Sequence, residues 1–318
     1  MPFHKFRTFG FAACALACSL WGCGFYFGKI ALTEINVGAM VLYRFLFATM
    51  ALASLLVLRR PRFCRKDWGL LLLTSFLGIP LQFLIQFSGL ARTTVSHASL
   101  MVGTMPVLLG VGATLFAHER MDRMGWFALL LSTLGATLIA LGARNSTGAT
   151  RPTIAGDMLV VASMFIGLSW TLLNKRLLAR NTPIAVTAYG VAVGTAMLLA
   201  LVPLIYRQPF GPQHIAQVSL KVWLALIASG LLCTASTTLL WNWGLTQVPA
   251  AQAGVLCNLE PLIGSLLGVL LLGESLGPSA RTGGAMILAA ALIITMLSHT
   301  RGREQLSLTR SGPPPTIL

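Results

Sequence analysis

Charge is what this chain has least of. Of its 318 residues only 10% are charged, and acids supply just eight. A soluble domain carries roughly 25% charged residues, so the deficit leaves no room for a separate soluble domain. A G-x-x-x-x-G-K-[ST] sequence is also missing, which excludes a P-loop ATPase. Neither a H-E-x-x-H pair nor a serine nucleophile with an evident base occurs, so an intramembrane protease or lipase has nothing to work with. Cys14, Cys18, Cys23, Cys64, Cys233 and Cys257 lie mostly inside apolar runs and imply no disulfide framework. Cys14 and Cys18 share a helix face, but no His or acid completes a metal set beside them, and they read as small packing residues. No metal or cofactor is expected.

What is present is apolar sequence, 56% of the chain. Ten runs are long enough to cross a bilayer as helices: roughly 9–28, 36–58, 67–90, 94–117, 123–142, 154–177, 183–206, 219–244, 249–272 and 278–298. The expected fold is an all-α integral membrane protein. Lys5 and Arg7 before an apolar run, with Ala15-Leu16-Ala17-Cys18, look like a cleaved leader. The apolar stretch continues to Gly28, however, and reads as the first membrane helix. The tail 301–318, ending in Ser311-Gly312-Pro313-Pro314-Pro315, reads as disordered.

The second five runs repeat the first five. Pro106 and Glu119 recur as Pro261 and Glu274, Gly89-Leu90 as Gly244-Leu245, and Ala98 as Ala253, all at one offset of 155 residues. The copies span 9–142 and 154–299. An odd number of crossings, duplicated, inserts the second copy upside down, and inverted repeats of this kind mark secondary transporters. Loop charge agrees. With both termini in the cytoplasm, inner loops and tails hold 15 basic residues and outer loops 7, the bias expected of basic residues retained inside. The net charge of +15 thus faces anionic lipid headgroups rather than nucleic acid.

Trp21-Gly22, Arg44-Phe45, and the matched pairs Pro106 with Glu119 and Pro261 with Glu274 resemble the drug/metabolite transporter superfamily, in particular its ten-helix EamA-type permeases. The resemblance covers roughly residues 9–299. It implies a multi-pass protein of a bacterial inner membrane that exports amino acids, other small metabolites or toxic compounds, some relatives taking solutes up.

Glu260 is the sharpest candidate site residue. It lies about 11 residues into the ninth run, roughly 16 Å deep at 1.5 Å per residue. A carboxylate there costs about 2.5–3.5 kcal/mol to insert and needs a wet cavity or a partner. It carries a proton, binds a substrate ammonium, or makes a structural bond to a neighbouring helix. Its mate in the first copy is Met105. Pro106 and Pro261 each free a carbonyl one turn earlier and read as hinges or fixed kinks. Arg44 attracts a substrate carboxylate, pairs with Glu260, or snorkels to the outer headgroups. Trp21 and Trp170, approximate symmetry mates, line the pathway or anchor at the interface. Gln82 and Gln86 on one face of the third helix, Tyr189 and Asn242 are further pathway candidates. His97, near the outer end of the fourth run, is a second proton-coupling candidate or a solvated spectator. Glu119 and Glu274 read as structural, each facing the start of the next helix.

The expected activity is secondary active export of a small amphipathic metabolite, an amino acid foremost, by alternating access. Protons or the substrate's own gradient would drive it. Uptake or exchange by the same fold is the alternative, and an intramembrane enzyme the reading from a different class. A channel would more often be an oligomer with polar rings around an axis. Symmetry within one polypeptide favours a monomer.

Overall fold

The computed structural model of the protein describes residues 2–92, 98, 101–119, 121–142, 153–206, 216–272 and 278–310. All regular structure among them is helical. In chain order the helices are α1 (Pro2–Ala31), α2 (Val37–Arg59), α3 (Arg65–Leu90), α4 (Met105–Phe116), α5 (Arg123–Gly142) and α6 (Ile154–Leu178). They continue with α7 (Pro183–Tyr206), α8 (Leu220–Leu245), α9 (Ala250–Leu256), α10 (Leu259–Leu272) and α11 (Pro278–Arg310).

Among the described residues, six stretches are long and apolar enough to span a membrane: Arg7–Ala31 within α1, then α2, α3, α6, α7 and α8. Their outward faces carry large apolar side chains such as Met50, Leu58, Ile154, Leu204 and Leu220, each more than half exposed. A surface this apolar belongs in lipid, where helices satisfy their own backbone groups.

Start signals are local. Asn36 caps α2 by accepting from Ala39 N at 2.8 Å, Thr153 caps α6 from Gly156 N at 3.1 Å, and Asp122 accepts from Gly125 N at 3.1 Å at the start of α5. Each side-chain oxygen takes a backbone donor that the helix cannot satisfy.

Two helices are widened in mid-course. In α3 a π turn covers Leu77–Leu81 and contains Pro80, which offers no N–H and crowds the preceding turn. In α8 a π turn covers Leu231–Ser236 without proline. There hydroxyls take carbonyls five residues back, Thr234 Oγ1 donating to Ser229 O at 3.1 Å and Ser236 Oγ to Leu231 O at 2.9 Å. Side chains inserted into the ladder open it in this way.

The structure differs from the expected runs at three places. The ninth run is split at Cys257–Asn258 into α9 and α10, so Pro261 stands in the first turn of a helix, where its missing N–H costs nothing. Pro106 likewise stands in the first turn of α4, after a turn at Gly103–Thr104. Both prolines therefore open helices rather than bend them. At the chain's end the helix carries on to Arg310, ten residues into the expected disordered tail. Arg301–Arg310 holds good helix formers (Arg, Glu, Gln, Leu) and no proline.

Candidate functional site

A central cavity of about 1080 Å³ of empty space, its open mouth included, lies between α1, α2, α3, α6, α7, α8 and the α9–α10 break. Its wall contains Trp21, Arg44, Gln82, Gln86, Trp170, Asn242 and Glu260. These are seven of the eight pathway candidates, drawn from six helices.

Arg44 points inward and is 2% exposed, which overturns the snorkelling alternative. Its Nε donates to Thr234 Oγ1 at 2.6 Å and its Nη2 to Cys233 O at 2.8 Å. The acceptors belong to the π turn of α8, where widening turns carbonyls away from their own ladder. The guanidinium lies over the rings of Phe83 at 5.0 Å and Phe87 at 5.6 Å. Two charge-assisted bonds and two aromatic faces compensate its removal from water.

Glu260 occupies the first turn of α10, where the helix dipole favours a negative charge. Its carboxylate makes no hydrogen bond to any described residue, yet its oxygens are not sealed off. They open onto the cavity. Glu260 and Arg44 interact through space without forming an ion pair. The Glu260 backbone is held by α1: a Cβ on Gly22 would come within 2.5 Å of its carbonyl oxygen. Only glycine permits that approach.

Trp21 leans on Trp241, ring centroids 5.2 Å apart. Trp170 fills the space beside Gly78, where any side chain would strike its ring. Asn242 belongs to a buried chain of amides, accepting from Asn174 Nδ2 at 2.6 Å and donating to Thr187 Oγ1 at 2.9 Å. It ties α6, α7 and α8 together at the cavity wall.

Tyr189 does not reach the cavity. Its hydroxyl donates to Pro61 O at 3.2 Å, and its ring packs against Phe63 and Trp68 near the start of α3. An aromatic near the start of α7 has no sequence mark separating cavity from end packing. His97, Glu274 and Ser275 lie outside the described residues. Asn174 and Thr187 are wall residues not among the candidates. Asn174 had a signal, one helical turn after Trp170 on the same face. Thr187, inside an apolar run, had none.

One end of the bundle is pinned by charge. Glu119 pairs with Lys175 of α6 and accepts from Ala251 N at 2.9 Å, so it caps α9 and not the next helix in the chain. Asp67 accepts from Arg180 Nη1 at 3.3 Å and Asn181 Nδ2 at 2.8 Å. This end also carries Arg59, Arg60, Arg62, Arg65 and Lys66. At the other end Glu34 accepts from Ser219 N at 2.7 Å and Ser219 Oγ at 2.6 Å.

An apolar helical bundle around a polar, aromatic-walled cavity is the build of a membrane transporter. The chain belongs to the EamA-like transporter family, whose model matches residues 8–141 and again 154–296. It is 25% identical over 290 residues to a protein of Archaeoglobus fulgidus named as an uncharacterized transporter, covering 90% of this chain and 96% of that one. It is 27% identical over 295 residues to a protein of Streptantibioticus cattleyicolor described as a probable terminal-alkyne amino-acid exporter, covering 92% and 95%. A solved crystal structure superposes with a TM-score of 0.75 at 20% identity, covering 92% of this chain and 98% of that one; it supports the fold alone.

Proposed function

We propose that the protein is a secondary active transporter that exports a small zwitterionic metabolite, an amino acid or a close relative, by alternating access. The observation that carries this reading is the pair of opposite charges in the cavity wall. Among the described residues the Glu260 carboxylate has no hydrogen-bond partner, Arg44 has donors beyond the two it uses, and the two charges interact without forming an ion pair. In a low-dielectric cavity two such charges attract a ligand that bears both signs. An α-amino acid places its ammonium at Glu260, its carboxylate at Arg44 and its side chain against Trp21 and Trp241. The name of the Streptantibioticus relative points the same way.

The frame for alternating access is ten membrane helices in two inverted halves. The family model's two separate matches and the matched π turns in α3 and α8 support it. The basic end faces the cytoplasm, with both termini, in a bacterial inner membrane. Glu260 is the residue to carry a proton in exchange.

The test is a panel in proteoliposomes holding the full chain: phenylalanine, its decarboxylated amine and its deaminated acid, each with and without a proton gradient. The zwitterion should move at least about tenfold faster than either truncated form. Equal movement of the amine and the zwitterion would sink the two-charge reading. No movement of any amino acid, apolar or polar, would sink the substrate class.

A further inference from the structure

We infer that Cys18 and Cys257 form a two-thiol site for a soft, two-coordinate cation, with Hg2+ as its probe. Their sulfurs lie 3.7 Å apart, close to van der Waals contact. Cys18 belongs to α1, and Cys257 sits in the break between α9 and α10, so their chain positions are 239 residues apart. Both are buried, at 0% and 5% exposure. Burial in apolar surroundings makes ordinary thiols inert. Here Cys257 also borders the central cavity, which gives a small ion a route that the outer surface does not.

The donor set selects the ion. Thiolates prefer soft metals, and no group of three or more His, Cys, Asp or Glu side chains able to hold a metal is found among the described residues. Four-coordinate zinc therefore lacks ligands. Charge narrows the choice further. Glu260 is three residues from Cys257 and interacts electrostatically with Cys18. A monovalent ion between two thiolates would leave a net negative complex beside that carboxylate. A divalent ion leaves a neutral one. Two S–H bonds break, two S–Hg bonds form, two protons leave through the cavity, and nothing is oxidised or reduced. The bridge ties α1 to the break that begins α10.

The test is a binding titration of the full-length protein in detergent, in a Cys64→Ser background that removes the exposed thiol. Hg2+ should bind at one tight equivalent per chain, release two protons and raise the unfolding midpoint. Methylmercury, which takes one thiol and cannot bridge, should bind without raising it. Cys18→Ser and Cys257→Ser should each weaken the tight equivalent on the order of 100-fold, the loss expected when a second linked contact is removed. Cys23→Ser should leave it intact. Equal thermal effects of Hg2+ and methylmercury, or tight binding that survives Cys18→Ser, would overturn the site. The comparison of the two mercurials on the Cys64→Ser protein decides the matter even if a further variant fails to fold. None of these readouts depends on transport.

Discussion

The two stretches matched by the family model share their scaffold and differ in their charges. Each opens a helix at the cavity with a proline in the first turn, Met105-Pro106 in α4 and Glu260-Pro261 in α10. Each has a third helix widened by a π turn. Yet the first stretch has methionine where the second has glutamate. Conversely α2 holds Arg44, while α7, packed against it, carries no charged residue at all. If the two matched stretches are copies of one unit, as proposed above, duplication accounts for the breaks and the widened turns, which any copy keeps. The charges occur once each and on opposite copies, so a ligand bound between them meets different chemistry from each side.

Removing Arg44 should have the largest effect. Its side chain links α2 to the π turn of α8 and lies on two phenylalanine rings, and without it Glu260 loses the cation it interacts with. Arg44→Gln should lower unfolding stability by about 3 kcal/mol, the scale for losing two hydrogen bonds made by a charged group. Arg44→Lys should recover little, because a point charge has no planar fork to reach Thr234 and Cys233 together. Chemical denaturation in detergent reads both. If Arg44→Lys is as stable as the wild type, the bidentate contact is not what holds α2 to α8.

Making the copies alike should come next. Glu260→Met gives α10 the residue that α4 has. Transport should fall about 30-fold or more, near 2 kcal/mol for a lost charge-assisted contact, with unfolding stability little changed because the Glu260 carboxylate makes no hydrogen bond to any described residue. Glu260→Gln should also remove the dependence of transport on an imposed proton gradient. Transport by Glu260→Gln that still follows the gradient would take the proton away from this residue. The reverse change, Met105→Glu, should destabilise, since it puts a second carboxylate on the wall of the cavity that already holds Glu260.

Glu260, Arg44, Trp21 and Trp170 were legible because a charge or a tryptophan stands out in an apolar run, whose cost in lipid demands a reason. Direction was not legible. Whether Arg44 snorkels or turns inward depends on acceptors in α8, about 190 residues away, and nothing in α2 reports them. Pro80 marks one π turn, whereas the other arises from Thr234 and Ser236, hydroxyls of a kind common in membrane helices that bond back to their own backbone. The break at Cys257–Asn258 hid inside an apolar run with the composition of a continuous span. Asn258 there donates to Ser132 Oγ of α5 at 2.8 Å, a bond formed only after the helices have packed.

The smallest effect belongs to the contacts that close the two ends of the bundle, and it separates them. Asp67 is 6% exposed and accepts from Arg180 and Asn181. Glu34 is exposed, and hydrogen bonds from the Ser219 hydroxyl and then the Ser219 N–H, with Lys221 adding its charge, hold its carboxyl below the usual carboxylate range. A carboxyl whose folded value is depressed stabilises the fold at pH above its unfolded value, roughly 4.3 for glutamate. That contribution is lost as pH falls through the lower, folded value. Glu34→Gln should therefore lower the thermal midpoint at pH 7 by no more than about 2 °C, and the difference should shrink toward zero as the pH is taken below 4. Asp67→Asn should cost more at neutral pH, because its donors are left facing a weaker acceptor in a buried site. If the Glu34→Gln difference persists unchanged in acid, its source is the shape of the Ser219 contact and not its charge.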